Sequence, residues 1–282
     1  MSFLIRFFSL LPLQLLHNLG ALLGWAAYVC SPTYRRHMNE NLALAGGWAG
    51  RERTAAIVEA GKGILELPKI WLRPQQEVVA RVVRVSGWEL VEAAWREKNR
   101  GILFLTPHLG CFEITAQYYA SFRPISVLYR PPKQGWLRPL VEVGRGANLK
   151  LAAADLGGVR TLMKALKRGE AIGMLPDQVP GNGEGVWALF FGRPAYSMTL
   201  AARLAESGAT VLLAYAERLV YGAGYHLKLR PLSTSLAGTL EERVTLLNRE
   251  LEGLIRECPG QYLWGYNRYK VPNGALPPES HA

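Results

Sequence analysis

The chain has 282 residues, 49% of them hydrophobic and 20% charged, which excludes a disordered or fibrous protein and leaves enough length to bury a full core. Lys and Arg number 33 against 22 Asp and Glu, a formal charge of +11, so the expected partners are acidic: nucleic acid, anionic lipid or an acidic carrier protein. The three cysteines, Cys30, Cys111 and Cys258, are widely separated and lack a C-x-x-C pair or a histidine at ligand spacing, which excludes a disulfide framework and a structural zinc and points to a reducing compartment.

The first element is apolar. Phe7 to Cys30 carries no Asp, Glu, Lys or Arg, and a helix of that length, rising roughly 1.5 Å per residue, reaches across a hydrocarbon core of about 30 Å. Residues 1–30 therefore read as a membrane-anchoring helix. Pro12, Gln14, His17 and Asn18 interrupt its apolarity and keep both a spanning and an interfacial placement open. A cleaved signal peptide is the competing reading of Arg6 and the apolar run, but Tyr28 and Val29 before Cys30 do not form a cleavage site. Arg35, Arg36 and His37 follow at once, which keeps the remainder in the cytoplasm by the positive-inside rule.

From Thr33 to Gln76 the pattern is helical, two or three helices punctuated by Pro68 and Pro74. Beyond Arg81 short apolar runs alternate with helical stretches. Strands are expected at Val82 to Val85, Ile102 to Thr106, Ile125 to Tyr129, Leu151 to Ala154, Ala171 to Leu175 and Val211 to Ala216. Helices are expected at Trp88 to Lys98, Gly110 to Ser121, Val159 to Arg168, Met198 to Ser207 and Leu240 to Arg256. The alternation predicts an α/β domain over residues 31–273, and the proline-containing segment 274–282 reads as a frayed tail. Positive charge concentrates between Ser121 and Glu170, where ten Lys and Arg face three acids. A solvated basic surface explains each residue singly; the sum suits an anion site.

Chemistry gathers after the second strand. In Gly101-Ile-Leu-Phe-Leu-Thr-Pro-His108-Leu-Gly-Cys-Phe-Glu113 a histidine stands at the end of a buried strand and a glutamate in the first turn of the next helix. Strand ends are where α/β sheets place ligands. A carboxylate so near can fix the imidazole tautomer and leave the other ring nitrogen as a base. Gly110 would let a substrate approach the backbone. Alone the pattern is weak, since a loop histidine near an acid at a helix start is common for structural reasons.

The longer frame resembles the bacterial lipid A late acyltransferases, lauroyl and myristoyl transferases related to the wider glycerol-phosphate acyltransferase group with its H-x-x-x-x-D motif. The resemblance rests on the apolar amino-terminal segment, T-P-H-L-G-C-F-E, Tyr129-Arg130-Pro131-Pro132, the glycine-flanked Arg145, Leu175-Pro176-Asp177-Gln178, and Phe190-Phe191-Gly192 with Pro194. Glu113 in place of aspartate is similar to the lipid A branch. The resemblance implies a glycerol-phosphate-acyltransferase-like fold, with a mixed central sheet flanked by helices. It also implies acyl transfer from an acyl carrier protein thioester to a hydroxyl of a Kdo-bearing lipid A precursor, at the cytoplasmic side of a bacterial inner membrane. No metal, cofactor or covalent acyl-enzyme is implied.

In that frame His108 is the general base and Glu113 orients its ring. Arg145 is expected to bind the developing oxyanion or a lipid phosphate, and Arg130 a phosphate. Asp177 and Gln178 stand at another strand end as substrate-binding candidates, although an aspartate there equally suits a turn cap. Trp187, Phe190 and Phe191 are expected to line an apolar groove for the acyl chain, and core packing is the plain alternative. Cys111 is more naturally a small core residue than a nucleophile. Pro180-Gly-Asn-Gly-Glu-Gly185 lacks the glycine spacing of a phosphate loop and reads as a loop near the substrate mouth.

Two other readings stand beside this one. An acyltransferase acting on a lysophospholipid or another glycolipid would use the same histidine and acid. A non-enzymatic basic protein at a membrane surface or on nucleic acid fits the charge but leaves the H-x-x-x-x-E frame without purpose, and no nucleic-acid motif is present. Acyl length, the hydroxyl acylated and oligomeric state are not encoded in any local pattern.

Overall fold

The computed structural model describes residues 2–97, 100–132, 135 and 138–278. The apolar amino-terminal segment, expected as one anchoring helix over residues 1–30, forms two helices, α1 (Ser2–Leu10) and α2 (Leu13–Cys30). The break falls at Pro12, which has no N–H to donate and whose ring clashes with the preceding turn. Among the described helices α2 alone is long and apolar enough to cross a membrane.

Three further helices follow: α3 (Pro32–Gly46), α4 (Arg51–Leu72) and α5 (Gln75–Val79). Ser31 caps α3 by accepting from the Tyr34 N–H, and Gly47 at φ 67° ends it. Pro68, expected to punctuate the end of α4, instead sits inside it. The helix continues because its last turn is held from outside: Ile70 is buried, and the Lys69 ammonium donates to the Ser9 carbonyl at 2.9 Å.

Helix α2 lies on α4 through glycines. A Cβ on Gly24 would stand 2.0 Å from the Ile57 carbonyl oxygen, and one on Gly61 1.9 Å from that of Gly20. The two backbones touch where neither has a side chain. One face of α2, with Leu13, Leu16 and His17, is thereby buried, while Leu15, Leu19, Leu22, Leu23 and Trp25 face outward.

The α/β part begins with β1 (Val82–Ser86), α6 (Trp88–Arg96), β2 (Ile102–Leu105), α7 (Phe112–Ala120), β3 (Ile125–Tyr129), α8 (Arg138–Gly146) and β4 (Lys150–Ala153). It continues with α9 (Leu156–Lys167), β5 (Ala171–Met174), β6 (Gly185–Phe190), β7 (Arg193–Met198), α10 (Leu200–Ala205), β8 (Thr210–Arg218), β9 (Tyr225–Pro231) and α11 (Leu240–Glu257). Seven strands form one sheet in the order β1-β9-β8-β2-β5-β3-β4, and β6 pairs with β7 alone. The sheet is mixed, as expected: β8 and β9 are antiparallel, and the remaining neighbours run parallel. Every residue of β2 is buried, which its unbroken Ile-Leu-Phe-Leu run foretells for a central parallel strand. Leu103 and Leu105 face the core shared with α9 and α11, and Ile102 and Phe104 the core under α6 and α7.

All six expected strands form. Three more exist, β6, β7 and β9, and the helix α8 joins them. The β6–β7 hairpin turns on Phe191 at φ 47° and Gly192 at φ 75°. A type I′ hairpin needs two left-handed residues, for which Asn-Gly is the usual signal; Phe-Gly conceals it. Strand β9 alternates Tyr225, Leu227 and Leu229 with His226, Lys228 and Arg230, a pattern legible in the sequence. Lys98, at the expected end of α6, and residues 279–282 of the expected tail lie outside the described residues.

Gly24→Val should destabilise the fold by about 2 kcal/mol or more, because the added side chain has no room without separating two backbones. Thermal or denaturant unfolding in mild detergent measures the loss, and an unchanged midpoint would mean that α2 does not dock on α4.

Candidate active site

The site is set by the register of two neighbouring strands. Parallel pairing aligns Leu105 of β2 with Met174 of β5. His108 and Asp177 each stand three residues further on and therefore meet. The His108 Nδ1–H donates to Asp177 Oδ1 at 2.8 Å, and the His108 backbone N–H donates to Oδ2 at 2.9 Å. Asp177 is 2% exposed. Burial pushes its carboxyl upward, but its electrostatic attraction to the His108 ring and the two hydrogen bonds from His108 outweigh that and hold it below its ordinary value. An ionised carboxylate can only accept, so the ring proton sits on Nδ1 and Nε2 keeps its lone pair. Gln178 Nε2 donates to that nitrogen at 3.2 Å.

Asp177 thus occupies the place expected of Glu113. Glu113, at the start of α7, turns the other way: Arg145 of α8 donates to it through Nε at 2.8 Å and also through Nη2, and the Trp71 indole N–H donates at 3.2 Å. The reason is geometric, since a helix beginning at Phe112 carries the next side chain away from the strand-end loop and toward α4 and α8. Gly144 lets α8 approach, for a Cβ there would lie 2.4 Å from that of Trp71. Arg145, expected to meet an oxyanion or phosphate, has its fork committed to Glu113.

The loop between them has its backbone partners inside the protein. Gly110 N–H donates to Gln261 O, Cys111 N–H to Ala216 O, and Leu263 N–H to His108 O. Gly110 is at φ +61°, and a Cβ would stand 2.0 Å from Ala216 O. Its glycine admits the backbone of β8, not a substrate. Cys111 is buried, and desolvation followed by the nearby Glu66 pushes its thiol well above the ordinary value, which removes it as a nucleophile.

Beneath the loop lies a buried polar cluster that no local motif announces. Arg218, at the end of β8, donates to Glu66 Oε1 at 2.8 Å and to the Gly110 carbonyl at 2.7 Å. Glu66 also accepts from Tyr225 at 2.9 Å and from His17 at 3.2 Å. Burial raises its carboxyl, yet Arg218 and His17 together overcome this and bring it down to about 2. In the sequence Glu66 looks like one more surface charge on an amphipathic helix, and its partner is 152 residues away.

An apolar cavity lies on the α7 face of the sheet. Phe104, Phe112, Ile125, Val127, Gly173 and Ala214 belong to its walls, and Glu113 and Arg145 are its charged lining residues. The Phe112 ring lies 4.7 Å from that of His108. The residues expected to form the acyl groove are elsewhere. Phe190 and Phe191 are buried in the core, and Trp187 donates its indole N–H to Leu276 O. The aromatic run F-F-G is a hairpin corner, whereas the cavity walls come from alternate residues of several strands. Arg130 is exposed after β3, 3.5 Å from Glu184. No group of three or more His, Cys, Asp or Glu able to hold a metal occurs among the described residues.

Comparison with known proteins adds to this geometry. The family described as bacterial lipid A biosynthesis acyltransferase matches residues 2–271. The chain belongs to that family. The acyltransferase is 29% identical over 278 residues to the lipid A biosynthesis lauroyltransferase of Escherichia coli strain K12, covering 95% of this chain and 89% of that one. It is 26% identical to the palmitoleoyltransferase of the same strain, covering 93% and 87%. A lipid A biosynthesis acyltransferase of Haemophilus influenzae is 21% identical, covering 93% and 84%.

Glu66→Gln should lower the acyltransferase's stability at neutral pH by about 3 kcal/mol, since it leaves the buried Arg218 with only the more distant, partly exposed Glu59 as counter-charge. The wild-type carboxylate, depressed in the folded state, stabilises fully above its ordinary value of 4.5, and that contribution fades as pH falls toward about 2. Denaturant titrations across that window should show a steeper loss in wild type than in Glu66→Gln; equal slopes would remove Glu66 from acid unfolding.

Proposed function

We propose that this lipid A acyltransferase moves a fatty acyl group from an acyl carrier protein thioester to a hydroxyl of a Kdo-bearing lipid A precursor, at the cytoplasmic face of the bacterial inner membrane. The observation that carries the reaction is the clamp of Asp177 on His108, which leaves the Nε2 lone pair free, with the His108 ring against Phe112 of an apolar cavity's wall. The lauroyl and palmitoleoyl transfers named for the relatives support a long acyl chain. The basic stretch from Ser121 to Glu170 suits an acidic carrier and anionic headgroups.

The acceptor hydroxyl displaces the Gln178 amide at His108 Nε2. Its oxygen attacks the thioester carbonyl as the proton passes to Nε2, and Asp177 stabilises the imidazolium that forms. Collapse of the tetrahedral intermediate breaks the carbon–sulfur bond, and the imidazolium returns the proton to the departing thiolate. The products are an ester and a free thiol, with His108 neutral again. The acyl chain occupies the apolar cavity. Glu113 holds Arg145 in the cavity lining, where a single unpaired charge would oppose an entering hydrocarbon chain. Arg130 reaches outward toward phosphate.

Purified protein is incubated with carrier-bound chains of several lengths and a Kdo-bearing tetraacyl precursor, and the lipid is weighed by mass spectrometry. A gain of one acyl chain is expected. His108→Ala and Asp177→Asn should each reduce turnover by about a hundred- to ten-thousand-fold while remaining folded. Full activity of Asp177→Asn would remove it from the dyad, and acylation of a lysophospholipid alone would move the acceptor to another lipid class.

The cavity predicts a second outcome. Gly173 lines the cavity, and its Cβ position lies 3.4 Å from Val127 Cγ1 and 3.6 Å from Ile125 Cδ1, so Gly173→Leu projects from the sheet face into the cavity. The variant should prefer a shorter acyl donor than wild type. An unchanged length profile would place the chain elsewhere.

A further inference from the structure

The connection from β8 to β9 is a turn that offers its apolar side chains to solvent. Val220 is 72% exposed and Tyr221 83%. Leu219 N–H donates to Gly224 O and Ala223 N–H to Val220 O, so the turn is closed rather than loose. Tyr221 sits at φ 56°, a left-handed conformation that a tyrosine adopts reluctantly, and nothing in the fold's interior gains from presenting it outward.

The position of the turn is fixed on two sides. A Cβ on Gly222 would lie 2.4 Å from the Gln14 nitrogen, so the turn rests on the start of α2. A Cβ on Gly224 would lie 2.4 Å from the Arg81 carbonyl oxygen and 3.2 Å from Val83, so it also rests on the start of β1. Val83 and Leu10 are themselves exposed, at 57% and 63%. The apolar surface of α1 and α2 therefore continues across the turn to the sheet edge. Positive charge borders it: Arg6, Arg81 and Arg84 are exposed. Lys69 is pushed below its ordinary value by burial first and then by Arg81 and Arg73.

Strand β8 runs parallel to β2, with Leu213 beside Leu105. The turn therefore leaves the sheet at the same end as His108. We propose that the β8–β9 turn is a second membrane-contacting element, which places Val220 and Tyr221 in the interface of an anionic leaflet beside α1 and α2 and sets the catalytic end of the sheet against the bilayer. Tyrosine is suited to that layer, its ring among acyl chains and its hydroxyl among headgroups, and the bordering arginines face anionic lipid. The proposal rests on the reading that α1 and α2 contact lipid.

The test uses full-length protein with Cys30→Ser and Cys258→Ser, carrying Tyr221→Cys, Leu22→Cys or Ser235→Cys, each labelled with an environment-sensitive fluorophore. Leu22 lies on the outer face of α2, and Ser235 is exposed after β9, at the opposite end of the sheet. The probes are phosphatidylethanolamine vesicles with and without phosphatidylglycerol, doped with nitroxide-labelled lipid. Blue-shifted, quenched emission is expected at 221 and 22 but not at 235. In Arg81→Gln or Arg84→Gln, vesicle partitioning should weaken roughly fivefold per arginine with the anionic lipid present.

Quenching at 22 without quenching at 221 overturns the turn's role and leaves the α2 reading intact. Quenching at neither position overturns both. An emission change at 221 only on adding acyl carrier protein would assign the surface to the carrier and overturn the lipid proposal.

Discussion

The ion pair between Glu66 and Arg218 is the constraint on which the rest of the molecule depends. It joins a helix of the amino-terminal bundle to the end of a central strand, and through the same guanidinium it reaches the loop that carries His108. Two charges withdrawn from water are costly unless every remaining donor and acceptor is met. Here His17, Tyr225, Glu59 and the Gly110 carbonyl meet them. The amino-terminal helices, the sheet and the His108 loop are consequently one cooperative unit.

The His108–Asp177 pair shows why a proposed dyad can be half legible. His108 and the strand before it are visible in a few residues of sequence, because a buried parallel strand must be continuously apolar and its end must open to solvent. Proximity along the chain favours Glu113 as its partner. The fold chooses Asp177, 69 residues away, since strand pairing aligns two strand ends while a helix start rotates the nearer acid aside. Asp177 stood among the candidates as a strand-end residue; what was hidden was the adjacency of β2 and β5 in the sheet.

The same distinction separates the strands that could be foreseen from those that could not. Central strands announce themselves by apolar runs. The hairpin of β6 and β7 is disguised by a phenylalanine in a left-handed corner, so that Phe190 and Phe191 pass for ligand-facing aromatics while they pack against Trp48, Trp264 and α11. The cavity has no sequence signature at all. Its walls are assembled from single residues of many elements, and only the finished sheet brings them together.

The glycine contact between α2 and α4 bears on how the protein can be handled. An apolar amino-terminal segment that merely tethered could be cut away to leave the rest of the fold intact. This one cannot be excised so simply, because removing residues 1–30 would uncover the close backbone contact around Gly61, strip His17 from a buried carboxylate and leave the Lys69 ammonium without the carbonyl it now meets. The segment is structural masonry. Solubility is better sought by replacing the outward leucines of α2 with polar residues, which leaves the inner face in place.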